Sequence, residues 1–281
     1  MAQILDGKET AAALKTALLK KLAALREEGI HPQLAIVLVG DSKPSAMYAA
    51  FMQKVAAGYE IPVRLVKEDG AITEEDLIAR IEELNKDAEI TGILMMMPLP
   101  KHIRQDKVIE AMAPDKDIDG LTQANLGRLM AGKDGLFPCT PRACMAILSH
   151  YGIDPEGKRA VVIGRSTVVG GSVAQLLQRA NATVTVCHSH TKAMETLTRE
   201  ADILVAALGH AGSVTADMVK PGAVVLDVGI NRVDGKTVGD VAYEETEPIA
   251  GAITPVPGGV GSVTTTMVVE ALVNAAELQR K

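Results

Sequence analysis

There is no tryptophan in these 281 residues, and aromatic side chains make up only 2% of them. Any core must then be aliphatic, drawn from Val, Ile, Leu, Ala and Met within a hydrophobic share of 47%. Parallel strands covered on both faces by helices suit that composition better than a β-sandwich. A basic excess is missing too. The formal net charge is −6 and no Lys/Arg block occurs, which argues against nucleic acid and anionic membrane surfaces as partners. No apolar run approaches a membrane span, and the opening MAQILDGKETAAALK has no apolar signal core. The three cysteines, Cys139, Cys144 and Cys187, are an odd number without metal-ligand spacing. A reducing, cytoplasmic location is therefore expected.

What is present alternates between helix and strand. An amphipathic helix is expected from about Lys8 to Glu28, closed by Gly29, and followed by the strand LAIVLVG (Leu34–Gly40). Next come a helix from about Pro44 to Gly58, the strand PVRLV (Pro62–Val66), and a helix opened by the capping pattern Thr73-Glu74-Glu75-Asp76. The strand GILMMM and a short helix near Ile103–Met112 complete a first half. In FPCTPRACMAIL, Thr140 suits an N-cap and Pro141 the first helical turn, so a linking helix is expected. A second half restarts with AVVIG (Ala160–Gly164), then a helix through Leu177. The strands TVTVC (Thr183–Cys187), ILVAALG (Ile203–Gly209) and AVVLDVG (Ala223–Gly229) come after it. The Gly/Pro-rich TPVPGGVG (Thr254–Gly261) leads to a last helix, about Thr264–Leu278. The pattern predicts an α/β fold of two α/β domains with parallel strands.

The turn VVIGRSTVVGGSV places Gly164, Gly170 and Gly171 outside the GxGxxG spacing, so the usual dinucleotide fingerprint is absent. Its context is still a buried strand, a glycine turn and a helix start, which can hold a phosphate. A plain tight turn is the alternative. The next strand ends Cys187-His188-Ser189-His190-Thr191 without the carboxylate that would bind a ribose 2′-hydroxyl, while Arg165 lies in the turn. That favours NADP over NAD. His188 and His190 share a strand face, but no third metal ligand accompanies them, and no metal is expected.

Taken together, SAMYAAFMQK, GIL…PLP, PDKDIDG, LFPCTP, VVIGRSTVVG, DVGIN and TPVPGGVG make the chain resemble the bifunctional methylenetetrahydrofolate dehydrogenase/methenyltetrahydrofolate cyclohydrolase family over essentially its whole length. The resemblance implies an N-terminal folate-binding domain (1–139, completed by 264–281), a Rossmann-like NADP-binding domain (140–263), a cleft between them, and a homodimer formed through the nucleotide domains. Carried across by motif, Gly164, Arg165 and Ser166 match the phosphate turn, Ser189 the 2′-phosphate contact, and Ile230 the nicotinamide-side segment. Pro257, Gly258, Gly259 and Val260 match the loop that closes over folate and cofactor. Two departures occur nearby: Gly261-Ser262 stands where the family continues Gly-Pro, and VVGG replaces Val-Gly-x-Pro.

The folate residues differ more. The family pairs a Tyr with a Lys four residues on, a spacing that puts both on one helix face. Here Tyr48 is followed by Met52, and Lys54 points roughly 200° away around the helix. In GILMMMPLP, Met96 occupies the position of the Gln thought to orient that Lys. Alternation along a strand sends Met95 and Met97 to the opposite face, as ordinary core. Asp119 matches the aspartate that hydrogen-bonds the pterin ring, with a loop-capping carboxylate as the alternative, and Asp117 reads as structural. Tyr48 alone could equally be a packed helix residue.

Hydride transfer from the methylene carbon needs a cofactor and substrate held together, whereas hydrolysis of the methenyl ring needs a positioned base. Two thioethers in place of Lys and Gln therefore point to an NADP-dependent methylenetetrahydrofolate dehydrogenase with weak or absent cyclohydrolase activity. Three other readings stay open. One is an oxidoreductase of this fold acting on another one-carbon carrier. Another is a non-catalytic folate- or NADP-binding paralogue. The last is the ordinary bifunctional enzyme, with water or Tyr48 standing in for the Lys.

Overall fold

A computed structural model of the chain describes residues 1–280. They form two compact units. The first comprises Lys15–Cys139 and the residues from Val268 on, and is built on a three-stranded parallel sheet. Its central strand, Leu34–Val39, is buried along its whole length, as an all-aliphatic LAIVLV requires. It pairs with Val63–Glu68 on one side and Gly92–Met95 on the other. In chain order these are β2, β3 and β4, since a two-residue β1 (Gln3–Ile4) precedes them. The part of α1 (Gly7–Glu27) from Lys15 on and the helices α2 (Lys43–Ala57), α3 (Glu74–Lys86), α4 (Gln105–Glu110) and α5 (Gln123–Met130) accompany them.

Capping fixes two of these helices where the sequence placed them. Ser42 accepts the Ser45 N–H at the start of α2, and Thr73 accepts the Asp76 N–H at the start of α3. Leu77, Ile81 and Leu84 of α3 pack on Ala35, Val37 and Val39 of β2 and on Ile93 and Met95 of β4. No residue of α2 joins that cluster, and α2 contacts β2. The sequence reading did not include α5. Thr122 caps it by accepting the Asn125 N–H.

The second unit, Met1–Leu14 with Thr140–Met267, holds a six-stranded sheet in the order β1-β11-β8-β7-β5-β6. Every pairing in it is parallel. Its further elements are α6 (Cys139–His150), β5 (Arg159–Ile163), α7 (Gly170–Arg179), β6 (Thr183–Cys187), α8 (Met194–Thr198), β7 (Ile203–Ala206), β8 (Val224–Asp227), the antiparallel hairpin β9 (Asn231–Val233) and β10 (Lys236–Val238), α9 (Tyr243–Thr246), β11 (Ala252–Ile253) and the start of α10 (Val260–Leu278), whose residues from Val268 on belong to the first unit. Residues 1–14 group with the second unit rather than with 15–139, because β1 adds to β11 and the Leu5 N–H donates to Ile253 O at 2.8 Å. Among the described residues, no helix is long and apolar enough to cross a membrane.

Candidate functional site

In the first unit the candidate residues lie on α2, just past β4 and in the loop before α5. Ser45, in the first turn of α2, donates its hydroxyl to Met97 O at 3.2 Å, tying the helix to the chain just beyond β4. Ser45, Ala49, Met52 and Ala56 form the buried face of α2, and Met52 is fully buried. Lys54 is exposed, as the turn of the helix requires. The strand is shorter than GILMMM suggested, ending at Met95, although the Met96 N–H still donates to Val37 O at 2.9 Å. Met96 is 3% exposed. Met95 belongs to the α3-facing cluster and Met97 packs against it, as alternation predicts, while Met96 does not belong to that cluster.

Tyr48 and Asp119 come together around Cys139, a residue that sequence reasoning placed in a motif but not in the site. Burial, then the charge of Asp119, then that of Cys139 push the Tyr48 phenol well above its usual range, so it stays protonated. Burial foremost, and the neighbouring Asp117 next, raise the Asp119 carboxyl from 3.8 to about 6, while a hydrogen bond with Cys139 pulls the other way. Cys139 Sγ also lies 3.6 Å from Ile118 O. Asp117 is fully buried, and its Oδ2 accepts from Thr122 N at 2.8 Å and from Asn125 Nδ2 at 3.0 Å, which secures the loop and the start of α5. Its Oδ1 has no hydrogen-bond partner.

In the second unit the glycine turn follows β5. Gly164 has φ +121°, and a Cβ there would stand 2.2 Å from Ala207 O. Its N–H donates to Cys187 O at 2.9 Å, which places the turn beside the end of β6. A Cβ on Gly170 would meet Gly164 O at 2.2 Å, so the helix start closes tightly on the turn. The Gly171 N–H donates to Ser166 O at 2.9 Å, and Ser172 Oγ donates to Thr167 O at 2.5 Å. Arg165, Ser166 and Ser189 are exposed there, at the carboxyl ends of adjacent parallel strands, where α/β sheets take up ligands. His188 Nδ1 accepts the His190 N–H at 3.2 Å. Among the described residues no group of three or more His, Cys, Asp or Glu is placed to hold a metal ion.

Farther along the same unit, Ile230 is 69% exposed just after β8. The Pro257–Gly259 loop is pinned by the N-terminal segment, with Gly7 N–H donating to Gly258 O at 2.8 Å. Sequence reasoning missed this anchor, and it missed Asp227 and Asp240, which are buried beneath the turn carrying Ile230. The only trace of them in the sequence is an Asp in DVGIN and another in VGD, with nothing to show that the two meet.

Residues 5–119 match the model of a tetrahydrofolate dehydrogenase/cyclohydrolase catalytic domain, and residues 138–280 that of the NAD(P)-binding domain of the same name. A bifunctional protein FolD of Acidovorax sp. (strain JS42) is 50% identical over 278 residues, 98% of this chain and 99% of that protein. The crystal structure of the bifunctional enzyme FolD, a methylenetetrahydrofolate dehydrogenase/cyclohydrolase from Campylobacter jejuni, superimposes with a TM-score of 0.97. It is 42% identical and covers 99% of this chain and all of that one. The Trypanosoma brucei N5,N10-methylenetetrahydrofolate dehydrogenase-cyclohydrolase, solved with NADP cofactor and inhibitor, gives a TM-score of 0.92 at 34% identity, covering 100% of this chain and 99% of that one.

Proposed function

The chain belongs to the tetrahydrofolate dehydrogenase/cyclohydrolase family, and from that membership we propose an NADP-dependent methylenetetrahydrofolate dehydrogenase whose cyclohydrolase step is weak or lost. The observation that carries the second half of this reading is the burial of Met52 and Met96, at 0% and 3% exposure, where the family resemblance places an acid–base Lys and its Gln. Thioethers neither move protons nor anchor water, and buried apolar side chains exclude it.

The residues after β5 fit a dinucleotide. The turn is too tight for side chains at Gly164 and Gly170, as backbone approach to a pyrophosphate demands, and Arg165, Ser166 and Ser189 are exposed to receive the 2′-phosphate. When bound, NADP supplies the hydride acceptor. The chain's own residues hold the folate. Asp119 accepts hydrogen bonds from the pterin ring and the protonated Tyr48 phenol donates, while Pro257, Gly258 and Gly259 form the loop that the resemblance assigns to substrate binding. A homodimer is part of the proposal, supported by the edge position of β6, where Thr183, Thr185 and Val186 are exposed. So is a cytoplasmic setting, supported by three buried cysteines that form no disulfide.

A second reading is favoured by one observation. An Asp119 carboxyl titrating at about 6 beside Tyr48 is an acid–base group close to neutrality, and it could serve hydrolysis in place of the Lys. Methylenetetrahydrofolate mixed with NADP, with NADPH and the methenyl chromophore followed together, separates the two. NADPH with methenyl product accumulating is the expected result. Rapid formyl product supports the bifunctional reading, and no NADPH removes the dehydrogenase.

Asp119 also sets a pH dependence. Its folded pKa of about 6 lies above its ordinary 3.8, so the ionised form that accepts from the pterin is present above pH 6 and is lost below it. The value of kcat/KM for the folate substrate should fall about tenfold per pH unit below 6. Asp119→Asn should cost about 10–100-fold at pH 7.5 and abolish that slope. An unchanged slope in the variant would assign the titration to another group.

A further inference from the structure

The turn after β8 is built on two buried carboxylates that the chemistry above does not use. Asp227 is 2% exposed and Asp240 fully buried. Asp227 Oδ1 accepts the N–H groups of Gly229 at 3.0 Å and Asp240 at 2.9 Å, and its Oδ2 accepts that of Val241 at 3.0 Å. Asp240 Oδ2 accepts the N–H groups of Leu208 at 2.6 Å and Gly209 at 2.9 Å, and its Oδ1 accepts Asn231 Nδ2 at 2.9 Å. The packing leaves no slack, since a Cβ on Gly239 would lie 1.8 Å from Asp227 Oδ2. Burial raises Asp227 to about 6, with the charge of Asp240 adding to it and the backbone donors opposing. Adjacent buried acids of this kind are a poor source of stability compared with an apolar pair of the same volume.

Their effect is local order. Gly229 is held through its N–H by Asp227, and Asn231 through its side chain by Asp240, so the exposed Ile230 is clamped on both sides. An exposed isoleucine on a fixed backbone presents an apolar contact at a set position. The groups expected to supply cofactor affinity sit elsewhere, after β5 and β6, and β7 lies between β5 and β8 in the sheet. We propose that Asn231 and Asp240 are positioning residues for hydride transfer, their side-chain hydrogen bond setting Ile230 on the nicotinamide side and thereby governing turnover rather than cofactor affinity. The proposal rests on the NADP-dependent dehydrogenase reading.

The hydrogen bond can be reversed, which gives the test. Asn231→Asp sets a second carboxylate against Asp240. In the double variant Asn231→Asp/Asp240→Asn, the amide donates from the other side, and its oxygen still accepts from Leu208 and Gly209. The native protein is measured first, with methylenetetrahydrofolate and NADP; absence of turnover there would overturn the dehydrogenase reading and this inference with it. In an active native protein, Asn231→Asp is expected to lose about 10²-fold in kcat, with the KM for NADP changed less than about threefold. The double variant should restore kcat to within about threefold of native. An unchanged kcat in Asn231→Asp, a loss confined to the KM for NADP, or a folded double variant that stays as slow as the single one would each overturn the inference while leaving the dehydrogenase reading intact.

Discussion

Met52→Lys combined with Met96→Gln is expected to hydrolyse methenyltetrahydrofolate about 10²–10⁴-fold faster than the native chain, the range by which a positioned acid–base group changes a rate. The two changes belong together for a physical reason. Position 52 is fully buried on α2, and an ammonium placed there alone would either give up its proton or leave an unpaired charge costing about 3–5 kcal/mol. The family resemblance pairs that Lys with a Gln at position 96, just past β4, whose oxygen would hold it. The single Lys variant should therefore melt lower than the double variant and gain less activity. Dehydrogenase turnover should change by less than about tenfold, since the cofactor residues lie on other elements. Formyl product measured by its absorbance, alongside thermal melting of the native chain and both variants, checks this. A stably folded double variant with no gain in hydrolysis would show that the methionines are not what limits that step.

Gly164→Ala should abolish useful NADP binding. A Cβ at this position is opposed twice, by a φ of +121° and by Ala207 O at 2.2 Å, which is backbone and cannot rotate aside. The left-handed conformation alone costs about 1–3 kcal/mol. Relief requires the turn to lift away from the end of β7, carrying Arg165 and Ser166 out of register with α7. Displacement worth about 3 kcal/mol corresponds to roughly 10²-fold in Kd. Because the protein has no tryptophan, the enhancement of NADPH fluorescence on binding is a clean readout. Native affinity in the alanine variant would mean that the turn does not hold the phosphates.

The parts of this fold that bury whole strands were plain in the sequence. LAIVLV, AVVIG and ILVAALG are too uniformly aliphatic to be anything but central parallel strands, and β2, β5 and β7 are buried accordingly. The N-caps Ser42 and Thr73 open α2 and α3 as side-chain chemistry dictates. The two-residue strands β1 and β11 were not legible, because a period of two cannot be recognised in two residues and their pairing joins positions about 250 apart in the chain. At the candidate site, Tyr48, Met52 and Asp119 were legible through motif spacing. The approach of Cys139 to Asp119 and the meeting of Asp227 with Asp240 were not, since each depends on a crossing of loops that no local pattern records.

The short strand at the beginning of the chain has a consequence for the order of events during synthesis. Gln3 and Ile4 leave the ribosome long before their partners Ala252 and Ile253. Until then the opening segment has nothing to pair with, and the loop at Gly258 that it will hold does not exist. The unit built from residues 15–139 separates the two in sequence and can gather most of its contacts earlier, from neighbours close in the chain. Closing the six-stranded sheet is therefore a late, long-range step. The Pro257–Gly259 loop gains its anchor only when the segment around Gly7, made much earlier, meets Gly258.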